Sequence, residues 1–240
     1  MEIVMMLCFV QLRTKIISGF CSALIVRTFA QSDVEELGKY ASIPVINALT
    51  DDDHPTQLLA DWVTIREKFG KDLTGRKFVY IGDGNNVAAA WLIIGARMGA
   101  HVVVATPAGK WAPKQSVVAE AMKIAESSGG RVEVLTDPKA AASGASAIYT
   151  DVWMSMGDSE ADRSEKIAAL TPYTVTNDLM KLTVADSIFM HCLPAHRGEE
   201  VSAEVIDGEK SVVWRQAYHR RTTIQALLYH LTKGDLVGNK

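Results

Sequence analysis

The clearest pattern along the chain is a series of short, almost wholly apolar runs separated by longer amphipathic stretches. Ala23-Leu-Ile-Val-Arg27, Ile43-Pro-Val-Ile-Asn-Ala48, Lys77-Phe-Val-Tyr-Ile81, His101-Val-Val-Val-Ala105, Arg131-Val-Glu-Val-Leu135, Ala147-Ile-Tyr-Thr150 and Asp186-Ser-Ile-Phe-Met190 are each too short for a stable helix and read as strands. Helices are predicted between them. One runs from Ser32, whose Ser-x-x-Glu spacing to Glu35 has the form of a capping box, to about Tyr40. A longer one starts at Pro55, suited to a first helical turn, and stops at Gly70. Others run from the Gly82–Asn86 turn to about Met98, from about Lys114 to Ser127, briefly after Asp137-Pro138, and from about Gln216 to Leu231. Strand alternating with helix predicts an α/β fold, a doubly wound parallel sheet covered on both faces. The loop around Gly70 to Arg76 reads as a seam. It leaves a partial second α/β domain at residues 1–71, the doubly wound domain at 72–213, and a C-terminal helix, 214–240, that packs back toward the first domain.

Composition adds limits. The 240 residues are 48% hydrophobic and 22% charged, with a net charge of −3, which suits a globular α/β protein and gives no nucleic-acid footprint. Met1 to Val10 is apolar apart from Glu2, but too short to span a bilayer, so it reads as a buried strand or the start of a helix. The three cysteines, Cys8, Cys21 and Cys192, have no disulfide or metal-ligand spacing and fit a reducing, cytoplasmic setting.

The groups that could carry chemistry fall at predicted strand ends. Gly82-Asp83-Gly84-Asn85-Asn86 follows a strand and opens a helix, as a dinucleotide-binding turn would. Yet Val87 stands where a third glycine is wanted, and the next strand ends at Ala105-Thr106 without a ribose-binding acid. Its two asparagines suit an amino acid better than a pyrophosphate, or serve the turn alone. Asp151 ends a strand and opens Asp-Val-Trp-Met-Ser-Met-Gly157; its carboxylate could face an ammonium group, or cap a helix. Arg27, His54 and Gln57 gather a guanidinium, an imidazole and an amide near a helix start, a suitable set for a phosphate. Met190-His191-Cys192-Leu193-Pro194-Ala195-His196-Arg197 places a thiol at another strand end.

Together, Val26-Arg27-Thr28-Phe29, His54-Pro55-Thr56-Gln57, Gly82-Asp83-Gly84-Asn85-Asn86, Asp151-x-Trp153-x-Ser155-Met156-Gly157 and His191-Cys192-Leu193-Pro194 resemble the ornithine carbamoyltransferases. The resemblance implies that Arg27, His54 and Gln57 hold carbamoyl phosphate, with Cys192 and Leu193 beside its carbamoyl group and Arg220 as a last phosphate-site arginine. It implies that Asn86, Asp151, Ser155 and Met156 hold ornithine, and that Arg27, His54, Asp151 and Cys192 carry the catalytic work. It also implies direct transfer to the ornithine δ-amine, without metal, cofactor or covalent intermediate, in a cytoplasmic homo-oligomer (a trimer in the family) serving arginine biosynthesis. Neither nucleic acid nor membrane is implied as a partner. Cys192 as a covalent nucleophile is the competing mechanism. Two departures stand out. The surroundings of Arg220, Arg215-Gln-Ala-Tyr-His219, lack the family's acidic pattern, and no Ser-Thr-Arg-Thr phosphate loop precedes Arg27. The expectation is therefore an enzyme shortened at its amino end, with little or no activity in this chain alone; the alternative is a non-catalytic amino-acid-binding or assembly module from that family.

Overall fold

The computed structural model describes residues 2–154 and 160–233. In chain order the elements are α1 (Glu2–Ser18), β1 (Leu24–Arg27), α2 (Gln31–Tyr40), β2 (Val45–Leu49), α3 (Pro55–Phe69), β3 (Lys77–Ile81), α4 (Asn86–Arg97), β4 (His101–Ala105), α5 (Gln115–Ser128), β5 (Arg131–Leu135), α6 (Pro138–Ala142), β6 (Ala147–Thr150), α7 (Arg163–Leu170), α8 (Asn177–Met180), β7 (Ile188–His191), α9 (Ala203–Ile206) and α10 (Val213–Lys233). They form two parallel sheets: β1 beside β2, and a five-stranded sheet ordered β5-β4-β3-β6-β7.

The strands of the larger sheet are apolar on both faces because both are covered. Phe78 and Tyr80 of β3 point to one side with Val102, Val104, Tyr149 and Met190, and pack against α4, α5 and Trp62 and Ile65 of α3. Val79 and Ile81 point to the other, with Val103, Ile148 and Phe189, under Tyr173, Leu179 and Val205. Helix α4 lies so close to β4 that a Cβ at Gly95 would run into Val102 and crowd Trp62. Trp62 meets the rings of Phe78 at 5.5 Å and Trp91 at 5.8 Å, so α3, which follows the small sheet, shares the core of the large one. Helix α10 packs along α3, with Arg215 paired to Glu67 and Gln216 bonded to Asp61.

The apolar start is helical, within α1, one of the two alternatives read from the sequence. Two local readings change. Helix α2 begins at Gln31, not Ser32, and Ala30 at its N-cap supplies no side-chain bond; the Ser32–Glu35 pair is not a capping box. Gln31 is instead held in place by its side chain, which accepts from Thr50 Oγ1 at 2.8 Å and Asn47 Nδ2 at 3.2 Å. The connections to and from β7 also hold short helices, α7 to α9, that the hydrophobic pattern does not announce.

Candidate active site

The crevice follows from strand order. From β3 the chain winds outward through β4 to β5, then crosses to β6 and β7, so the order reverses between β3 and β6. Ligands in open parallel sheets bind outside the strand carboxyl ends at such a reversal. The loops leaving β3, β6 and β7 meet there.

Asn85 caps α4: its Oδ1 accepts from Val87 N at 3.0 Å and Ala88 N at 3.1 Å. With Oδ1 committed, Nδ2 faces across the reversal and donates to Asp151 Oδ2 at 2.9 Å. The other carboxylate oxygen, Oδ1, accepts from Val152 N and from the Cys192 thiol, at 2.8 Å and 2.7 Å. Asp151 and Cys192 thus share one crevice, and Asp151 does not cap a helix. Burial, and then the Asp151 carboxylate, push the Cys192 thiol well above its ordinary pKa. A neutral thiol donating to a carboxylate is poorly suited to nucleophilic attack. The nearest imidazole, His191, has Nδ1 at 4.0 Å from the sulfur, but that nitrogen accepts from Leu193 N at 2.8 Å. The geometry therefore argues against the covalent role for Cys192. Leu193 itself has φ 58 and is followed by a cis peptide to Pro194.

Gly84 explains the failed dinucleotide motif. Its N–H donates to Trp111 O at 2.8 Å, and a Cβ there would collide with Ala112 and Pro113. The glycine admits the protein's own backbone where a pyrophosphate would have to approach. Beside it, Asp83 forms a buried ion pair with Lys166 of α7 at 2.6 Å.

The second group lies where β1, α3 and α10 meet. Arg220 donates to Gln57 Oε1, and Gln57 Nε2 donates to Asp61 Oδ1 at 2.8 Å. His54 sits just before α3 and is 8% exposed; its Nδ1 has no hydrogen-bond partner among the described residues. Burial first, then the charges of Arg220 and Arg27, lower its pKa to about 4. A neutral imidazole with a bare buried nitrogen, two guanidinium charges and a helix N-terminus suit an anion. Asn86 ties the two groups together, donating from Nδ2 to Thr50 O at 2.7 Å, which leaves its Oδ1 for a ligand. Ser155 and Met156 lie outside the described residues.

His54 has a consequence for stability. Its folded pKa is depressed from 6.5 to about 4, so the unfolded chain binds the proton that the folded chain refuses, and stability falls as pH drops through that window. Relative to His54→Gln, the native protein should lose about 3 kcal/mol of unfolding free energy between pH 6.5 and 4, from about 2.5 pH units at 1.36 kcal/mol each. Denaturant unfolding of both proteins across this range checks it; a constant difference would show that His54 is not held neutral.

Two members of this constellation, Asp61 and Gln216, were not singled out from the sequence, and Asn85, paired there with Asn86 as suiting an amino acid or the turn, both caps α4 and bonds Asp151. Asn85 was legible as a polar residue at a helix start. Asp61 and Gln216 carry no motif. His196, Glu199 and Glu200 have potential metal-ligand atoms within 4.8 Å of one another. Glu200, however, already accepts from His196 N at 2.6 Å and lies 3.3 Å from His191 Nε2, which binds it into its own loop. No helix of the described residues is long and apolar enough to cross a membrane.

This arrangement sets a carboxylate and a thiol at the reversal of a parallel sheet, and His54, Gln57 and Arg220 together at the start of α3. Residues 10–67 match the model of the carbamoyl-P binding domain of aspartate/ornithine carbamoyltransferases, and residues 74–231 match that of their Asp/Orn binding domain. The ornithine carbamoyltransferase of Acidothermus cellulolyticus is 48% identical over 217 residues, covering 90% of this chain and 69% of that protein. That of Pyrococcus horikoshii is 48% identical over 224 residues, 93% of this chain and 70% of its own. The solved structure of ornithine carbamoyltransferase from Pyrococcus furiosus superposes with a TM-score of 0.89 at 47% identity, covering 94% of this chain and 71% of that one. The one from Gloeobacter violaceus gives 0.85 at 42% identity, with 93% and 74% covered. The chain belongs to the ornithine carbamoyltransferases. These relatives are enzymes, and they do not favour a non-catalytic module.

Proposed function

We propose that the crevice transfers a carbamoyl group from carbamoyl phosphate to the δ-amine of ornithine, giving citrulline and phosphate. The observation that carries this reading is the Asn85–Asp151–Cys192 chain at the strand reversal, with contacts of 2.9 Å and 2.7 Å. It fixes an acceptor-only carboxylate and a neutral thiol where an amine would enter. In this reading Asp151, Asn86, Ser155 and Met156 hold ornithine, while Arg27, His54, Gln57 and Arg220 hold the phosphate, with Cys192 and Leu193 against the carbamoyl group.

The neutral amine nitrogen bonds to the carbamoyl carbon, a tetrahedral intermediate forms, and the carbon–oxygen bond to phosphate breaks as the amine passes a proton to the departing phosphate. The protein's tasks are to align the two substrates and to offer fixed positive charge to the oxyanion and the departing phosphate. His54, neutral at pH 7, acts as a hydrogen-bonding group there rather than as a third cation. Residues 1–71 form the phosphate half, 72–213 the ornithine half, and α10 closes across them. A cytoplasmic homo-oligomer serving arginine biosynthesis fits this chemistry.

Calorimetric titration with L-ornithine and with L-aspartate tests the substrate class. Ornithine should bind at least about tenfold more tightly, because a carboxylate side chain would meet the Asp151 charge. Aspartate binding equally or better would overturn the assignment.

A further inference from the structure

Asp61 lies one helical turn beyond Gln57 in α3 and is completely buried, as is Gln216 of α10, while Gln57 is 1% exposed. A single oxygen, Asp61 Oδ1, accepts from Gln57 Nε2 at 2.8 Å and from Gln216 Nε2 at 2.6 Å. Each amide is thereby oriented with its NH2 toward the carboxyl and its carbonyl away. The carbonyl of Gln57 receives Arg220, and that of Gln216 receives the backbone N–H of His191 at 3.0 Å. The first arm ends in the anion site; the second ends at the residue before Cys192. We propose that Asp61 is a positioning residue for the transfer reaction, setting the orientation of both glutamines and through them holding Arg220 on one side of the crevice and the His191–Leu193 turn on the other. The inference rests on the substrate assignment above, since it gives those two ends their meaning.

The physical argument is one of forced choice. Flipping either amide would set a carbonyl oxygen against Asp61 Oδ1 and an NH2 against a donor, Arg220 or His191 N–H. Both changes leave buried polar groups unpaired. The arrangement also survives protonation. Burial raises the Asp61 pKa to about 7, so the group is part neutral near pH 7. The proton belongs on Oδ2, because Oδ1 already faces two N–H donors. Tyr149, fully buried, lies near enough to lower the Asp61 pKa, although neither its hydroxyl nor Asp61 Oδ2 finds a partner at hydrogen-bonding geometry among the described residues.

The test is calorimetric titration of the 240-residue chain and its variants with inorganic phosphate and, separately, L-ornithine, with thermal melting measured alongside. Asp61→Asn keeps an oxygen at the Oδ1 position and should bind both ligands within about threefold of the native chain. Asp61→Leu removes the common acceptor and should weaken both by about tenfold or more. Gln216→Leu cuts only the second arm, so it should weaken ornithine by about tenfold and leave phosphate within about threefold. That split is something a general loss of stability would not produce, and it holds the proposal to account should Asp61→Leu fail to fold. Arg220→Ala is the reference. If it leaves phosphate binding unchanged, the phosphate-site assignment is wrong. If it weakens phosphate while folded Asp61→Leu does not, or if Gln216→Leu shifts both ligands equally or neither, the positioning role is overturned.

Discussion

The purified 240-residue chain, given saturating carbamoyl phosphate and ornithine, is expected to form citrulline at least about a hundredfold more slowly than the typical enzyme median of roughly 10 s⁻¹. In the proposed reading the phosphate is left to Arg27, His54, Gln57 and Arg220, and no Ser-Thr-Arg-Thr segment occurs within residues 1–240. Removing one preorganised donor to a developing oxyanion costs about 10²–10³ in rate, and a phosphate loop supplies several. The frame around the remaining groups is thin. The small sheet has two strands, and two strands alone are marginally stable. Around it Phe20 is 82% exposed, Phe29 56% and Ile25 47%, an apolar surface prone to association. A colorimetric citrulline assay decides the matter. Turnover within about tenfold of the typical median would show that the four groups suffice.

Asp151→Asn is expected to weaken ornithine binding by about tenfold or more. A charge-assisted hydrogen bond contributes roughly 1.5–3 kcal/mol, against about 1.4 kcal/mol per factor of ten in affinity. The substitution keeps an oxygen for Val152 N and Cys192 but turns an NH2 toward the NH2 of Asn85, which now donates to Oδ2 at 2.9 Å. A small drop in melting temperature should therefore accompany the loss, and ornithine affinity should fall further than phosphate affinity. Calorimetry giving equal ornithine affinity for the two proteins would remove Asp151 from the site.

The strands were readable in the sequence for a physical reason. A parallel strand covered on both faces must be apolar at consecutive positions, as in Val102-Val103-Val104, and polar loops then mark its end. The same rule placed Asp151 and Cys192 together, because both leave strands at the same edge. What stayed hidden depends on contacts between distant segments. Ser32 and Glu35 have the spacing of a capping box, yet Gln31 is held by Asn47 and Thr50 and the helix starts a residue earlier. Helices α8 and α9 have four residues each, too few to show a period. Asn86 resembled a ligand residue, while Asn85, its neighbour, makes the bond to Asp151. Asp61 looked like any polar residue in a helix; only folding reveals two amides converging on it.

The bonds of α10 also set an order of events in synthesis. Gln216 meets Asp61 across 155 residues and Arg220 meets Gln57 across 163. At roughly 5–20 residues per second on the ribosome, α3 waits about 10–30 s for its partner. During that interval the large sheet can close, but Asp61 has no Gln216 and Gln57 has no Arg220. The Gln57–Arg220 side of the crevice is therefore the last part to take shape, after most of the hydrophobic core. A nascent chain stalled before Val213 would hold a nearly complete sheet with the Asp61 carboxyl bonded to Gln57 alone and uncovered by α10.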